Sequence, residues 1–147
     1  MKTFLLKDKR PICKWGQIPD NIYFEGELPE NYSLAICPNA PYVILDIDDH
    51  EGKCGFDNIP FSIKIELSEH FAYQTNSGGQ HIWLKYTGNK ELANKTSGFF
   101  IDLRTHNGYV KWYLDGDIRN YIHEVKETSL KLNNWLEQLF SYNESKK

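Results

Sequence analysis

Two aspartates separated by one isoleucine, Asp46-Ile47-Asp48, end the apolar run Tyr42-Val43-Ile44-Leu45 and hold the sharpest chemical potential in this 147-residue chain. Side chains alternate across an extended strand, so Asp46 and Asp48 share one face and Ile47 takes the other. Carboxylates this close repel each other unless solvent or a cation neutralises them, and a hard divalent ion such as Mg2+ takes oxygen ligands of this kind. The same residues also fit a strand running into an acidic, solvated turn with Asp49 and Glu51. A second group is Ser77-Gly78-Gly79-Gln80-His81-Ile82-Trp83. Its glycines let backbone N–H groups approach an anion, and the Ser77 hydroxyl adds a donor. His81 opens the following strand, with Lys85 on the same face. A plain hairpin turn with a partly exposed histidine is the competing reading. The third group is Ile101-Asp102-Leu103-Arg104, in which Asp102 and Arg104 share a face. An acid and an arginine two apart are more often a surface ion pair than a site. Here Phe99, Phe100, Ile101 and Leu103 predict a strand buried on at least one side, where a lone carboxylate needs a metal ion or an arginine.

The elements around these groups must position them. Residues 34–37 and 42–48 read as two strands joined by a Pro-Asn-Ala-Pro turn, and 49–60 as an exposed loop. The alternation in 61–67, FSIKIEL, favours a strand over a short helix. Residues 72–76 and 81–86 form a predicted hairpin around Ser77-Gly78-Gly79. A second predicted hairpin joins 98–105 to 108–114 at His106-Asn107-Gly108. An amphipathic helix over about 129–140 closes the chain, capped by Thr128 or Ser129, with Leu132, Trp135, Leu136, Leu139 and Phe140 as its apolar stripe. Residues 143–147 are expected to fray. The fold class is therefore α+β with a mainly antiparallel sheet, in one domain over 1–147.

Bulk properties narrow the function classes. Forty per cent hydrophobic and 14% aromatic residues suit a globular chain with a core rather than a disordered one. No apolar run approaches a bilayer span, and Phe4-Leu5-Leu6 is too short for a signal-peptide core, so no membrane partner and a cytoplasmic location are expected. Three cysteines, Cys13, Cys37 and Cys54, form no framework spacing and read as free thiols. With His50 they have no CxxC pair, so a zinc site is not expected. The net charge of −3 argues against a protein that grips nucleic acid alone by tracking phosphates. The cations are a cluster at Lys7, Lys9, Arg10 and Lys14, then scattered Lys85, Lys90, Lys95, Lys111 and Arg119. Trp112 and Tyr113 stand out as candidate base contacts, and Trp135 as part of the core.

In order and spacing, the DxD pair, the SGGxHxW segment, and the hydrophobic-hydrophobic-Asp-Leu-Arg strand followed by Gly108-Tyr109-Val110 resemble the archaeo-eukaryotic primase superfamily. Within it, the motifs resemble the bifunctional primase-polymerase domains of phage and plasmid replication proteins, over residues of about 9–113. The Lys9-Arg10-Pro11-Ile12 lead-in with nearby Trp15 also fits. The resemblance implies an RRM-like catalytic core joined to a small α/β unit. It implies Asp46, Asp48 and Asp102 as catalytic ligands of two Mg2+ or Mn2+ ions. It further implies Ser77 and His81 at the phosphates of an incoming nucleotide, with Arg104 as a further phosphate contact. Gly78, Gly79 and Lys85 join that nucleotide site on turn chemistry and strand face alone.

The implied activity is nucleotidyl transfer from ribo- or deoxynucleoside triphosphates on a single-stranded DNA template, in a bacterial host cytoplasm. Template binding by the chain alone should be weak, with a separate replicative helicase or DNA-binding subunit supplying the grip. The chain departs from the family where Cys37-Pro38-Asn39-Ala40-Pro41 replaces a glycine-rich stretch and where Lys111-Trp112-Tyr113 replaces a loop with proline and serine. It also lacks the helicase and helical regions often fused behind such domains, so a minimal or dissected catalytic unit is expected. Two other readings stay open: a non-catalytic nucleic-acid- or initiator-binding relative of the same fold, and a metal-dependent nuclease.

Overall fold

The computed structural model describes residues 1–142, so the expectation for 143–147 lies outside the described residues. In chain order the strands and helices are β1 (Lys2–Lys7), β2 (Arg10–Pro11), β3 (Tyr32–Cys37), β4 (Tyr42–Ile47), β5 (Asp49–His50), β6 (Lys53–Cys54), α1 (Phe61–Leu67), β7 (Ala72–Gln74), β8 (Gln80–Lys85), β9 (Lys95–Thr96), β10 (Ile101–Arg104), β11 (Val110–Lys111) and α2 (Leu130–Phe140). They build an α+β fold in which every strand ladder is antiparallel. One sheet runs β7-β8-β4-β10-β9 and a second runs β11-β3-β1-β2, with β5-β6 as a small separate hairpin.

Strand alternation decides where each sheet face goes. From the central sheet, Val43, Leu45, Ile47, Ile82, Leu84, Ile101 and Leu103 point to a core closed by Ile63 and Leu67 of α1 and by Leu132, Trp135, Leu136 and Phe140 of α2. The opposite face sends Ile44, Tyr73 and Trp83 into a second core with Leu34, Ile36, Val110 and Trp112. The helices thus cover one face of the central sheet and the second sheet covers part of the other.

The α2 helix forms as its stripe predicts. The Ser129 hydroxyl accepts from the Leu132 N–H at 3.1 Å, so Ser129 rather than Thr128 is the cap. Residues 61–67 differ from the expected strand. They form α1, because Pro60 cannot extend a central ladder and its carbonyl accepts from the N–H groups of Ile63 and Lys64. Ile63 and Leu67 then stack four apart on the buried side, while Phe61 and Ile65 stay exposed. The predicted 98–114 hairpin also fails. β10 pairs with β4 and β9, whereas β11 crosses to β3 of the second sheet, so His106-Asn107-Gly108 joins two sheets rather than two partners. Phe99 and Phe100 precede β10 as exposed residues, with Phe100 in the left-handed region at φ 62°. Residues 34–37 and 42–48 are strands as expected, but they too enter different sheets. The 49–60 loop contains the β5–β6 hairpin and one 3-10 turn.

Just after α1, the half-buried His70 carries a testable electrostatic load. Its Nδ1 is buried without a hydrogen-bond partner, and burial pushes the imidazole below its ordinary value, aided by Lys126 and opposed by Glu66 and Glu69. The unfolded chain therefore takes up a proton near pH 6.5 while the folded chain does so lower. Between those values the unfolded state binds more protons, so stability falls as pH drops below about 6.5. Replacing His70 with Gln should flatten that acid limb, read as the change in urea midpoint between neutral and mildly acidic buffer.

Candidate functional site

Antiparallel register brings the sequence-predicted residues into one transverse row. Asp46 of β4 stands opposite His81 of β8 on one side and opposite Asp102 of β10 on the other. The row continues to Tyr73 of β7 beyond His81 and to Thr96 of β9 beyond Asp102. Directly opposed side chains on one face have Cβ atoms about 4.5–5.5 Å apart, so this register alone makes the imidazole and two carboxylates neighbours. All lie on the face opposite the helices, at a rim where the second sheet only partly covers them. The side chains of Asp46 and Asp102 keep 25% and 20% exposure, enough for a ligand to reach them.

Asp48 completes the group from one residue beyond β4. Its backbone N–H donates to the Phe100 carbonyl at 3.0 Å and its carbonyl accepts from the Gly55 N–H at 2.8 Å, so the chain stays extended past the strand end. Alternation returns its carboxylate to the Asp46 face. Burial pushes the Asp48 carboxyl above its ordinary value, and the charges of Asp46 and Asp102 push it further. The three acids therefore act on one another electrostatically.

Each acid also has its own partner. Arg104 donates through Nη2 to Asp102 Oδ2 at 3.2 Å, and His81 Nε2 lies 3.5 Å from Asp46 Oδ1. Among the described residues, no group of three or more His, Cys, Asp and Glu side chains is disposed to hold a metal ion. The donor set is nevertheless all oxygen and locally over-negative, which is the chemistry that a hard divalent cation relieves.

His81 is only 4% exposed and is held by a relay that the sequence reading missed. Trp83 Nε1, which can only donate, gives its hydrogen to Tyr73 Oη at 3.1 Å. Tyr73 Oη lies 3.2 Å from His81 Nδ1. With its oxygen already accepting, the phenol is free to donate to Nδ1, which leaves the N–H of His81 on Nε2, facing Asp46. Burial pushes the Tyr73 phenol well above its ordinary value, so it keeps the proton it donates. Reading the 72–86 hairpin as symmetric about Ser77 would have put Tyr73 opposite His81. The Tyr73→Phe variant keeps the ring and loses the hydroxyl. It should stay folded, with a loss of about 1 kcal/mol, and should shift the imidazole toward a mixed tautomer, visible in nitrogen-15 NMR of His81.

The turn residues lie close to the acids. A Cβ on Gly79 would fall 2.2 Å from the Ile47 carbonyl oxygen, and Gly78 takes φ 96° with a Cβ position 3.1 Å from the Asp49 carbonyl oxygen. The Ser77-Gly78-Gly79 turn thus packs on the backbone from which Asp48 emerges, with Ser77 exposed beside it. Lys85 is not brought there. It stands opposite Tyr42 at the far end of β4, and its Nζ lies 4.0 Å from Glu127 Oε1. Four residues of strand separate it from His81, about 13 Å.

Trp112 is also displaced from its expected role. It is buried and donates through Nε1 to the Gly116 carbonyl at 2.9 Å, a packing role. Tyr113 remains half-buried, its ring centroid 5.8 Å from that of His81. Cys13, Cys37 and Cys54 are free cysteines, with Cys37 buried in β3. No helix among the described residues is long and apolar enough to cross a membrane. No protein-family model matches the sequence, and no curated protein matches it.

Proposed function

We propose that the chain is a primase-polymerase catalytic domain that transfers nucleotides from nucleoside triphosphates to a growing strand on a single-stranded DNA template, with Mg2+ or Mn2+. The observation that carries this reading is the row His81–Asp46–Asp102 on three adjacent strands, with Asp48 one residue beyond. Core packing of Ile101 and Leu103 sets the register, but it asks for no acid at either facing position, where two un-neutralised carboxylates repel. An oxygen-rich, over-negative cluster beside an anion-accepting turn is what a metal-bound triphosphate requires.

Two divalent ions, held by Asp46, Asp48 and Asp102, would supply an activated attacking oxygen and charge neutralisation at the departing pyrophosphate. The remaining residues position and neutralise. His81, oriented through Tyr73 and Trp83, presents an N–H toward the acid cluster where phosphate oxygens arrive. Arg104 offers a guanidinium bound to Asp102 on one side and available to a phosphate on another. Ser77 and the N–H of Gly79 add donors at the rim, while the Gly78 N–H closes the turn on the Thr75 carbonyl at 3.1 Å. No protein nucleophile is required, since the attacking group belongs to the strand being extended.

The RRM-like core is part of this reading. Its support is a β4-α1-β7-β8 path in which β8 returns beside β4 with β7 outside it, both helices on one face and the acids on the other. The test offers labelled nucleotides, Mn2+ or Mg2+ and single-stranded template to the purified chain. Metal-dependent extended product supports transfer. Shortened template in its place indicates a nuclease, and binding without turnover indicates a non-catalytic relative. Weak template binding that disappears as salt rises is expected, with a separate helicase or DNA-binding subunit supplying the grip.

A further inference from the structure

The spacing of His81 and Lys85 supplied the nucleotide site with an ammonium group, yet Lys85 sits at the other end of its strand beside Glu127. A cleft of about 360 Å³ contains better-placed cations. Its walls include Asn76 and Ser77 from the glycine turn, Lys9 from the β1–β2 turn, and Tyr109, Lys111 and Tyr113 around β11. It therefore spans the two sheets. No carboxylate lines it, and its two charged side chains are both lysines. Another cleft, of about 530 Å³, is lined by Glu25, Glu27, Asp115 and Asp117 with Arg119 as its one cation, itself paired with Glu25 and Asp117, so its net charge disfavours an anion.

The lysine cleft also adjoins the acid row. Tyr113 forms part of its wall and packs its ring against His81 at 5.8 Å between centroids. Asn76 of the glycine turn and Tyr113 of β11's continuation line the same cleft. Lys111 lies over the Tyr113 ring, its Nζ 5.1 Å from the centroid, and so is held at the cleft rather than extended into solvent. Lys9 is an exposed residue in the left-handed region at φ 67°, held in a tight turn between β1 and β2.

We propose that this cleft is a polyphosphate subsite, in which Lys9 and Lys111 of the second sheet, with the Ser77 hydroxyl, bind the outer phosphates of a triphosphate whose inner end lies at His81 and the acid row. The inference rests on the nucleotidyl-transfer reading for its natural ligand, but its placement is separable. It gives the second sheet a function beyond covering Ile44 and Trp83. It also explains how an acidic chain can hold a highly charged ligand, since the positive charge is placed locally.

Binding of inorganic tripolyphosphate with Mg2+ to the full chain, followed by calorimetry, tests the placement. The Lys111→Ala and Lys9→Ala variants should each weaken binding about tenfold, as loss of one charge-assisted contact predicts. Lys111→Arg should recover most of the affinity, and Lys85→Ala should bind as the unaltered chain does. Lys9 is exposed and Lys111 half-buried, so unchanged thermal midpoints would separate lost contacts from lost folding. If tripolyphosphate binds the unaltered chain while the Lys9 and Lys111 variants bind it equally well, the subsite is overturned and the transfer reading survives. If the chain binds neither tripolyphosphate nor a nucleoside triphosphate, both fall together.

Discussion

The Asp46→Asn variant should lose nucleotidyl transfer by at least about 10³-fold while remaining as stable as the unaltered chain. The two outcomes follow from the same position. Asp46 is the centre of the row, opposite His81 on one side and Asp102 on the other, and it lies within electrostatic reach of Asp48. Removing its charge takes away a metal ligand between the other two acids. The amide retains the shape and an oxygen that can still accept from His81 Nε2, so the contact at 3.5 Å has a replacement. Repulsion within the cluster falls as well, and that offsets the small loss of a charge-assisted contact. An acid retained only for stability would give the reverse pattern, with a lowered midpoint and no special effect on turnover. Incorporation of labelled nucleotide and a urea midpoint, measured on the same preparation, separate the cases. Turnover within tenfold of the unaltered chain would remove Asp46 from the reacting centre.

The parts of this arrangement that could be read from the sequence were local. The Asp46-Ile47-Asp48 alternation needs only strand geometry, and the Ser77-Gly78-Gly79 turn marks its hairpin through residues that tolerate unusual backbone angles. The α2 stripe was legible because it runs over eleven residues. By contrast α1 has seven, too few for a helical period to outweigh the alternating pattern of Phe61, Ile63 and Ile65. The residue that decides there is Pro60, whose carbonyl starts the helix.

The β10–β11 error has a different source. His106-Asn107-Gly108 is good turn chemistry, but turn chemistry does not say whether the flanking strands pair with each other. Val110 opposes Ile36, and Asp102 opposes Asp46, both through long-range register. That register is set by burial of Ile101 and Leu103 against the helix-side core, which no window around Asp102 contains. Lys85 shows the limit of a face argument. Alternation put it on the correct side of the sheet, yet pairing with Tyr42 put it at the wrong end.

The Gly79→Ala variant is expected to be the most damaging small substitution near the site. Its new methyl carbon would lie 2.2 Å from the Ile47 carbonyl oxygen, 3.2 Å from the Ile47 carbonyl carbon and 3.4 Å from the Asp48 Cα. All three atoms are backbone, so no side-chain rotation can make room. An ordinary carbon–oxygen approach is about 3.3–3.6 Å, so the turn must lift from β4 by roughly 1 Å. That shift falls between Gln80–Ile47, the last pair of the β4–β8 ladder, and the emerging Asp48. Stability should fall by about 1–3 kcal/mol, as in overpacked cores. Because His81 follows two residues later, the imidazole should move against Asp46, and a 1 Å misplacement costs about 10²-fold in rate. Gly78→Ala provides the contrast. Its Cβ would sit at 3.1 Å from the Asp49 carbonyl oxygen, and its main penalty is the positive φ of 96°, about 1 kcal/mol. Thermal midpoints and turnover for the two variants should therefore differ in both measures, with Gly79→Ala worse in each. Equal behaviour would mean that the turn is not held against the acid-bearing strand, and that the anion-accepting groups are not fixed relative to the carboxylates.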